Sequence, residues 1–182
     1  MITMEDIILD GHPLLRTVVE EVPLPLSEAD KLVMKEMAEF LTHSQDKKTA
    51  KKYGLREGVG LAAPQIGLNK RLIAVRAEDS NGQLHAYVLA NPKVLGHSEE
   101  KTYLPNGEGC LSMEKEVPGI VPRYRRLRVQ GVDLNGELVE VKAKDFIAIV
   151  FQHELDHLNG KMFYDHIDPE NPLMPPPGME PL

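Results

Sequence analysis

"DFIAIVFQHELDHLNG", residues 145–160, decides how this chain must fold. From Phe146 to Phe151 the stretch is apolar on every side, and a helix of that kind belongs in the middle of a domain, wrapped by sheet. Asp145 is placed to cap its start, and Gly160 to end it in the left-handed conformation. His153 and His157 lie four residues apart on one helical face and can reach a single ion, with Glu154 beside any water held there. A His-Glu-x-x-His pattern arises by chance in about one chain of this size in a few hundred, so an ordinary helix is the weaker reading.

The chain around this helix has 182 residues, 42% hydrophobic and 27% charged, enough to bury a core without disulfides or a structural metal. Two β-rich runs flank Asn81-Gly82 in "KRLIAVRAEDSNGQLHAYVLANP", and two more flank Asn135-Gly136 in "RLRVQGVDLNGELVEVKA", predicting two antiparallel hairpins. Ser27 caps a scaffold helix over about 28–43, with Leu32, Val33, Met37, Phe40 and Leu41 at helical spacing. The expected fold is therefore α+β, with antiparallel sheets and hairpins packed around a central buried helix carrying the metal motif. A single domain over 1–167 is followed by 168–182, whose five prolines after Asn171 predict an extended or disordered tail.

Other features narrow the function. Glu5 and Asp6 stand where a signal peptide would be basic, and no apolar run has the length of a membrane span, so a cytoplasmic location is expected. A net charge of −7 argues against nucleic-acid binding; Arg123, Arg125, Arg126 and Arg128 in "PRYRRLR" read as one solvated strand edge. Cys110 is the only cysteine, so no intrachain disulfide forms.

A catalytic metal site normally takes three protein ligands. A third histidine six residues after the second fails, because that position is Phe163. Downstream, Asp165, Asp168, Glu170 and Glu180 lie in a short segment without a further ligand helix. Upstream, "GEGCLS" at 107–112 offers Cys110 between residues that let backbone approach closely, and a thiolate with two imidazoles is a sound set for a divalent transition metal. A lone cysteine is more often a small buried hydrophobe; beside the two histidines the ligand reading is favoured. "GVGLAAPQIG" at 58–67 formally matches a dinucleotide fingerprint, but "AKKYGLRE" before it is no buried strand. Its glycines instead free backbone to line a cleft, and Gln65 offers an amide to what reacts there.

Together "GVGLAAPQ", "EGCLS" and "QHELDH", in that order, resemble the three signature motifs of the peptide deformylases, and the similarity runs from "DGHPLLR" to "GKMFYDHID". The segment from Gly67 to Glu108 and "YLPNGEGCLS" are similar to the class found chiefly in Gram-positive bacteria, with Met113 where valine is commoner. The resemblance implies a hydrolase that removes the N-formyl group from the initiator methionine of nascent polypeptides and releases formate. It implies Cys110, His153 and His157 as ligands of a divalent ion, typically Fe²⁺, for which Ni²⁺, Co²⁺ or Zn²⁺ substitute, with Glu154 as general base and acid. It further implies that Gln65 and the Leu111 N–H stabilise charge on the formyl oxygen. Val59, Ile149 and Val150 would line the methionine pocket, and Gly60 and Gly109 would pair with the peptide as an added strand. Transient ribosome association is part of the same expectation, although the Pro-rich segment cannot supply the C-terminal helix that some members use there. The rival reading is a His-Glu-x-x-His metallopeptidase, which differs in its third ligand.

Overall fold

The computed structural model describes all 182 residues. Its larger sheet has five strands in the order β1-β2-β3-β6-β7, all pairs antiparallel: β1 Gly60–Ala62, β2 Leu72–Glu78, β3 Leu84–His97, β6 Arg126–Val132 and β7 Leu138–Lys144. A smaller sheet joins β4 Lys101–Tyr103 to β5 Arg123–Tyr124 on one side and to β8 Glu180–Pro181 on the other. The helices are α1 Glu28–Gln45, α2 Lys47–Tyr53 and α3 Asp145–Leu158.

β2 shows how one strand serves two cores. Its burial is continuous, yet Leu72 and Ala74 join the cluster of α1 residues Met34, Met37, Phe40 and Leu41, while Ile73, Val75 and Ala77 join that of Ile147, Val150, Phe151 and Leu158 from α3. The period-2 alternation of a strand thus sends successive side chains to opposite faces, and the sheet lies between the two helices. α3 also touches β5 of the small sheet. Its burial runs almost unbroken from Ile147 to Leu158, as its all-round apolar character requires.

Both hairpins form where Asn-Gly pairs predict them, and both use the same five-residue loop. Asp79 Oδ1 accepts from the N–H groups of Asn81 and Gln83, and Asp133 Oδ1 from those of Asn135 and Glu137. Gly82 and Gly136 follow in the left-handed region at φ +76° and +77°, conformations that cost glycine little. Ser27 caps α1 by accepting from Asp30 N–H at 3.0 Å, and the helix runs two residues past the expected end to Gln45.

Three details depart from the sequence reading. Asp145 begins α3 at φ +55°, but its carboxylate accepts from Arg125 Nε instead of capping the helix. Arg123 is no solvated edge residue; it is buried among carboxylates. The Pro-rich segment is extended, but its end is held: β8 runs parallel to β4, Thr102 Oγ1 donates to Glu180 O at 3.0 Å, and Leu182 N–H donates to Tyr103 O at 2.9 Å. No helix is long and apolar enough to cross a membrane.

Candidate metal centre

α3 places His153 and His157 one turn apart on a buried face, their rings 5.0 Å between centroids. The loop before β5 brings Cys110 to them. One ligand atom from each of Cys110, His153 and His157 lies within 4.8 Å of the others, all three residues buried. His157 Nε2 is 3.4 Å from Cys110 Sγ.

The donor set fits a transition metal. His153 Nδ1 faces Glu108 Oε1 at 2.8 Å, which leaves Nε2 as the ligating nitrogen and fixes the ring's orientation. Burial and the neighbouring His153 pull the His157 pKa down to about 3, so this imidazole is neutral and its lone pair is free for an ion. Burial also works against charge on His153, yet Cys110 and Glu108 outweigh it and hold its pKa well above the ordinary value. The Glu108 carboxylate that favours a proton there also favours a cation.

Glu108 is itself tied down. Burial raises its pKa, but hydrogen bonds from His153 and Arg123 dominate and hold the carboxyl at about 2. Arg123 grips it with two bonds of 2.9 Å and reaches Asp156 Oδ2 at 2.6 Å, which also meets His166 Nε2 at 2.8 Å. Residues of the cysteine loop, β5 and α3 are thereby joined behind the ligands. Glu108, Arg123 and Asp156 join the site only in the structure: Glu108 stands two residues before Cys110 and Asp156 between the two histidines, but nothing in the sequence says which partner each charge finds.

Glu154 faces the cleft. Burial pushes its carboxyl up to about 7, and Oε2 is buried without a hydrogen-bond partner. A carboxyl poised there can take or give a proton near neutrality. Gly60 makes room for it: a Cβ on Gly60 would lie 2.4 Å from Glu154 Oε1. Gln65 Oε1 accepts from Ala62 N–H at 3.0 Å, which turns its NH₂ toward Cys110 Sγ and Ser112 Oγ at 3.4 and 3.2 Å. The Leu111 N–H donates to no main-chain carbonyl of the protein.

These groups border a cleft of about 350 Å³ that Val59, Gly60, Gly109, Ile149 and Val150 also line. Arg56, Leu104 and Phe146, not read as site residues from sequence, line it as well. β1 is the edge strand of the large sheet, so Gly60 has a strand partner on one side only.

Known proteins agree with this geometry. The family model described as "Polypeptide deformylase" matches residues 4–172. "Peptide deformylase 2" of Bacillus subtilis is 58% identical over 176 residues, 97% of this chain and 96% of that protein. Its namesake in Bacillus anthracis is 56% identical over 182 residues, 100% of this chain and 99% of that protein. Among solved structures, the Met-Ala-Ser-bound class I type b peptide deformylase of Acinetobacter baumannii aligns with a TM-score of 0.69 at 31% identity, covering 88% of this chain and 96% of that one. A buried Cys-His-His group beside a partnerless glutamate, at the edge of an open strand and in a chain matched end to end, belongs to a member of the polypeptide deformylase family.

Proposed function

We infer that the protein removes the N-formyl group from nascent polypeptides, releasing formate, with a divalent metal held by Cys110, His153 and His157. The observation that carries this reading is the convergence of the three ligand atoms within 4.8 Å beside a carboxyl raised to about 7. When bound, the ion acts as a Lewis acid that lowers the pKa of water and polarises the formyl oxygen. Glu154 takes a proton from the attacking water and returns it to the leaving amine. Charge that develops on the formyl oxygen is met by the Gln65 NH₂, which lies beside Cys110 Sγ, and by the Leu111 N–H, which donates to no main-chain carbonyl.

The peptide is held as an added strand on the free side of β1, pairing with Gly60 and Gly109, while Val59, Ile149 and Val150 receive the methionine side chain. The peptide Met-Ala-Ser bound to the Acinetobacter relative supports an N-terminal methionine as the residue recognised. Ferrous iron is the ion we propose; a thiolate with two imidazoles also suits nickel, cobalt and zinc. A transient encounter with the ribosome, where formylated chains emerge, belongs to the same reading.

The test is metal analysis of anaerobically purified protein together with turnover of a formyl-Met peptide. Cys110→Ala is expected to lose both metal and activity. Glu154→Gln should keep its metal and lose roughly 10²–10⁴-fold in turnover. Stoichiometric metal in Cys110→Ala would instead support a metallopeptidase with a different third ligand.

A further inference from the structure

Arg56 stands in the loop before β1, lines the cleft and is itself exposed. A solvent-facing arginine ordinarily seeks a carboxylate, yet all three hydrogen bonds of Arg56 go to main-chain carbonyls of the cysteine loop. Nη1 donates to Met113 O at 2.9 Å and to Leu111 O at 3.3 Å, and Nη2 to Cys110 O at 3.5 Å. The planar fork of a guanidinium suits such a task, because several donors in fixed directions can hold several acceptors at once.

The identity of one acceptor matters most. The Cys110 carbonyl belongs to the same peptide plane as the Leu111 N–H, which donates to no main-chain carbonyl and is the group assigned above to the formyl oxygen. The Cys110 carbonyl also accepts from Met113 N–H at 3.1 Å, so this plane is held from its oxygen side by two donors, one of them charged. Hydrogen bonds to a peptide oxygen polarise that peptide and make its N–H a stronger donor. The Leu111 carbonyl, Arg56's second acceptor, leads into Ser112, whose hydroxyl receives Gln65 Nε2 at 3.2 Å.

We propose that Arg56 is a positioning residue for the deformylation reaction: it locks and polarises the Cys110–Leu111 peptide so that the Leu111 N–H meets the negative charge on the formyl oxygen. The proposal rests on the assignment of that N–H to the formyl oxygen. All of Arg56's hydrogen bonds go to main-chain oxygens and none to a ligand side chain. Its contribution appears only when charge develops, and so falls on kcat rather than on substrate binding.

The experiment compares wild-type protein, Arg56→Lys and Arg56→Ala, all nickel-loaded, on formyl-Met-Ala and formyl-Met-Ala-Ser, with metal content measured for each preparation. Both variants should bind full metal and keep KM within about 3-fold. kcat should fall by roughly 10-fold or more, equally on the two substrates, and less in Arg56→Lys than in Arg56→Ala; loss of one such donor outright costs about 10²–10³-fold elsewhere. Addition of millimolar guanidinium should restore part of the kcat of Arg56→Ala. An unchanged kcat overturns the proposal. A loss confined to KM and growing with peptide length overturns it too, since Arg56 would then be a wall of the peptide subsite. Metal content falling in step with kcat would assign Arg56 to holding Cys110, again against the proposal. Wild-type protein inactive on both substrates would defeat the underlying deformylase reading instead, and is told apart by that control.

Discussion

Glycine at position 60 shows how a single missing atom governs a site. A Cβ there would lie 2.4 Å from Glu154 Oε1 and 2.8 Å from its Cγ and Cδ, and buried Glu154 has little room to yield. Gly60→Ala is therefore expected to displace the carboxyl and lower kcat by about 10²-fold, the effect of an error of about 1 Å in a reacting group. Its metal content should be unchanged, because the ligands lie elsewhere; titration of bound metal beside the kinetic assay checks both parts. At this scale the sequence was informative wherever chemistry restricts the residue type. Two histidines at helical spacing, a lone cysteine and a glutamine after a Gly-rich run can be read as reagents. Glu108, Arg123 and Arg56 could not, because a charged residue announces its partner only once the chain has folded, and four arginines in a row of seven look alike until one of them is buried.

Between elements, Arg123 is the tie. It stands on β5, holds Glu108 of the cysteine loop and Asp156 of α3, and is 3% exposed. Arg123→Met would leave two carboxylates without their cation in a poorly hydrated place, which typically costs 3–5 kcal/mol. The loss of Glu108's anchor should also loosen His153 and weaken metal binding by about 10–100-fold. Denaturant unfolding measures the first effect and competition with a chelator the second; normal metal affinity in a destabilised variant would separate the two roles. The elements themselves were mostly legible. Alternation with Asn-Gly gave the hairpins, and unbroken apolar character gave α3. What escaped was the pairing of β8, a two-residue strand whose existence depends on a free edge nearly eighty residues earlier in the chain, and the Asp145 side chain, which finds Arg125 more accessible than the helix end.

The molecule as a whole should be sensitive to acid in a defined direction. Glu108 at about 2, with Asp156 and Asp165 also held below the usual carboxylate range, favours the ionised forms in the folded state. Their contribution is fully present above about pH 4.5 and is lost as pH falls toward 2, where the folded state too must take up protons. For Glu108 alone the drop corresponds to roughly 3 kcal/mol. Melting temperature recorded from pH 7 downward should fall across that window, and less steeply in Glu108→Gln, which is already less stable at neutral pH. A curve of equal slope in the variant would show that other groups govern acid unfolding.

The two matching loops carry a last consequence, for how preparations age. Asparagine followed by glycine is prone to deamidation, since the small neighbour lets its backbone nitrogen attack the side-chain amide and close a ring. In both hairpins that nitrogen is already engaged: Gly82 N–H donates to Asp79 O and Gly136 N–H to Asp133 O, each at 3.0 Å. The turn that reverses the chain thus also shields its weakest covalent link. Deamidation at Asn81 and Asn135 should proceed only as fast as these two tips fray, so the rate at which peptide mapping finds aspartate at those two positions in stored protein becomes a clock for local opening of the hairpins.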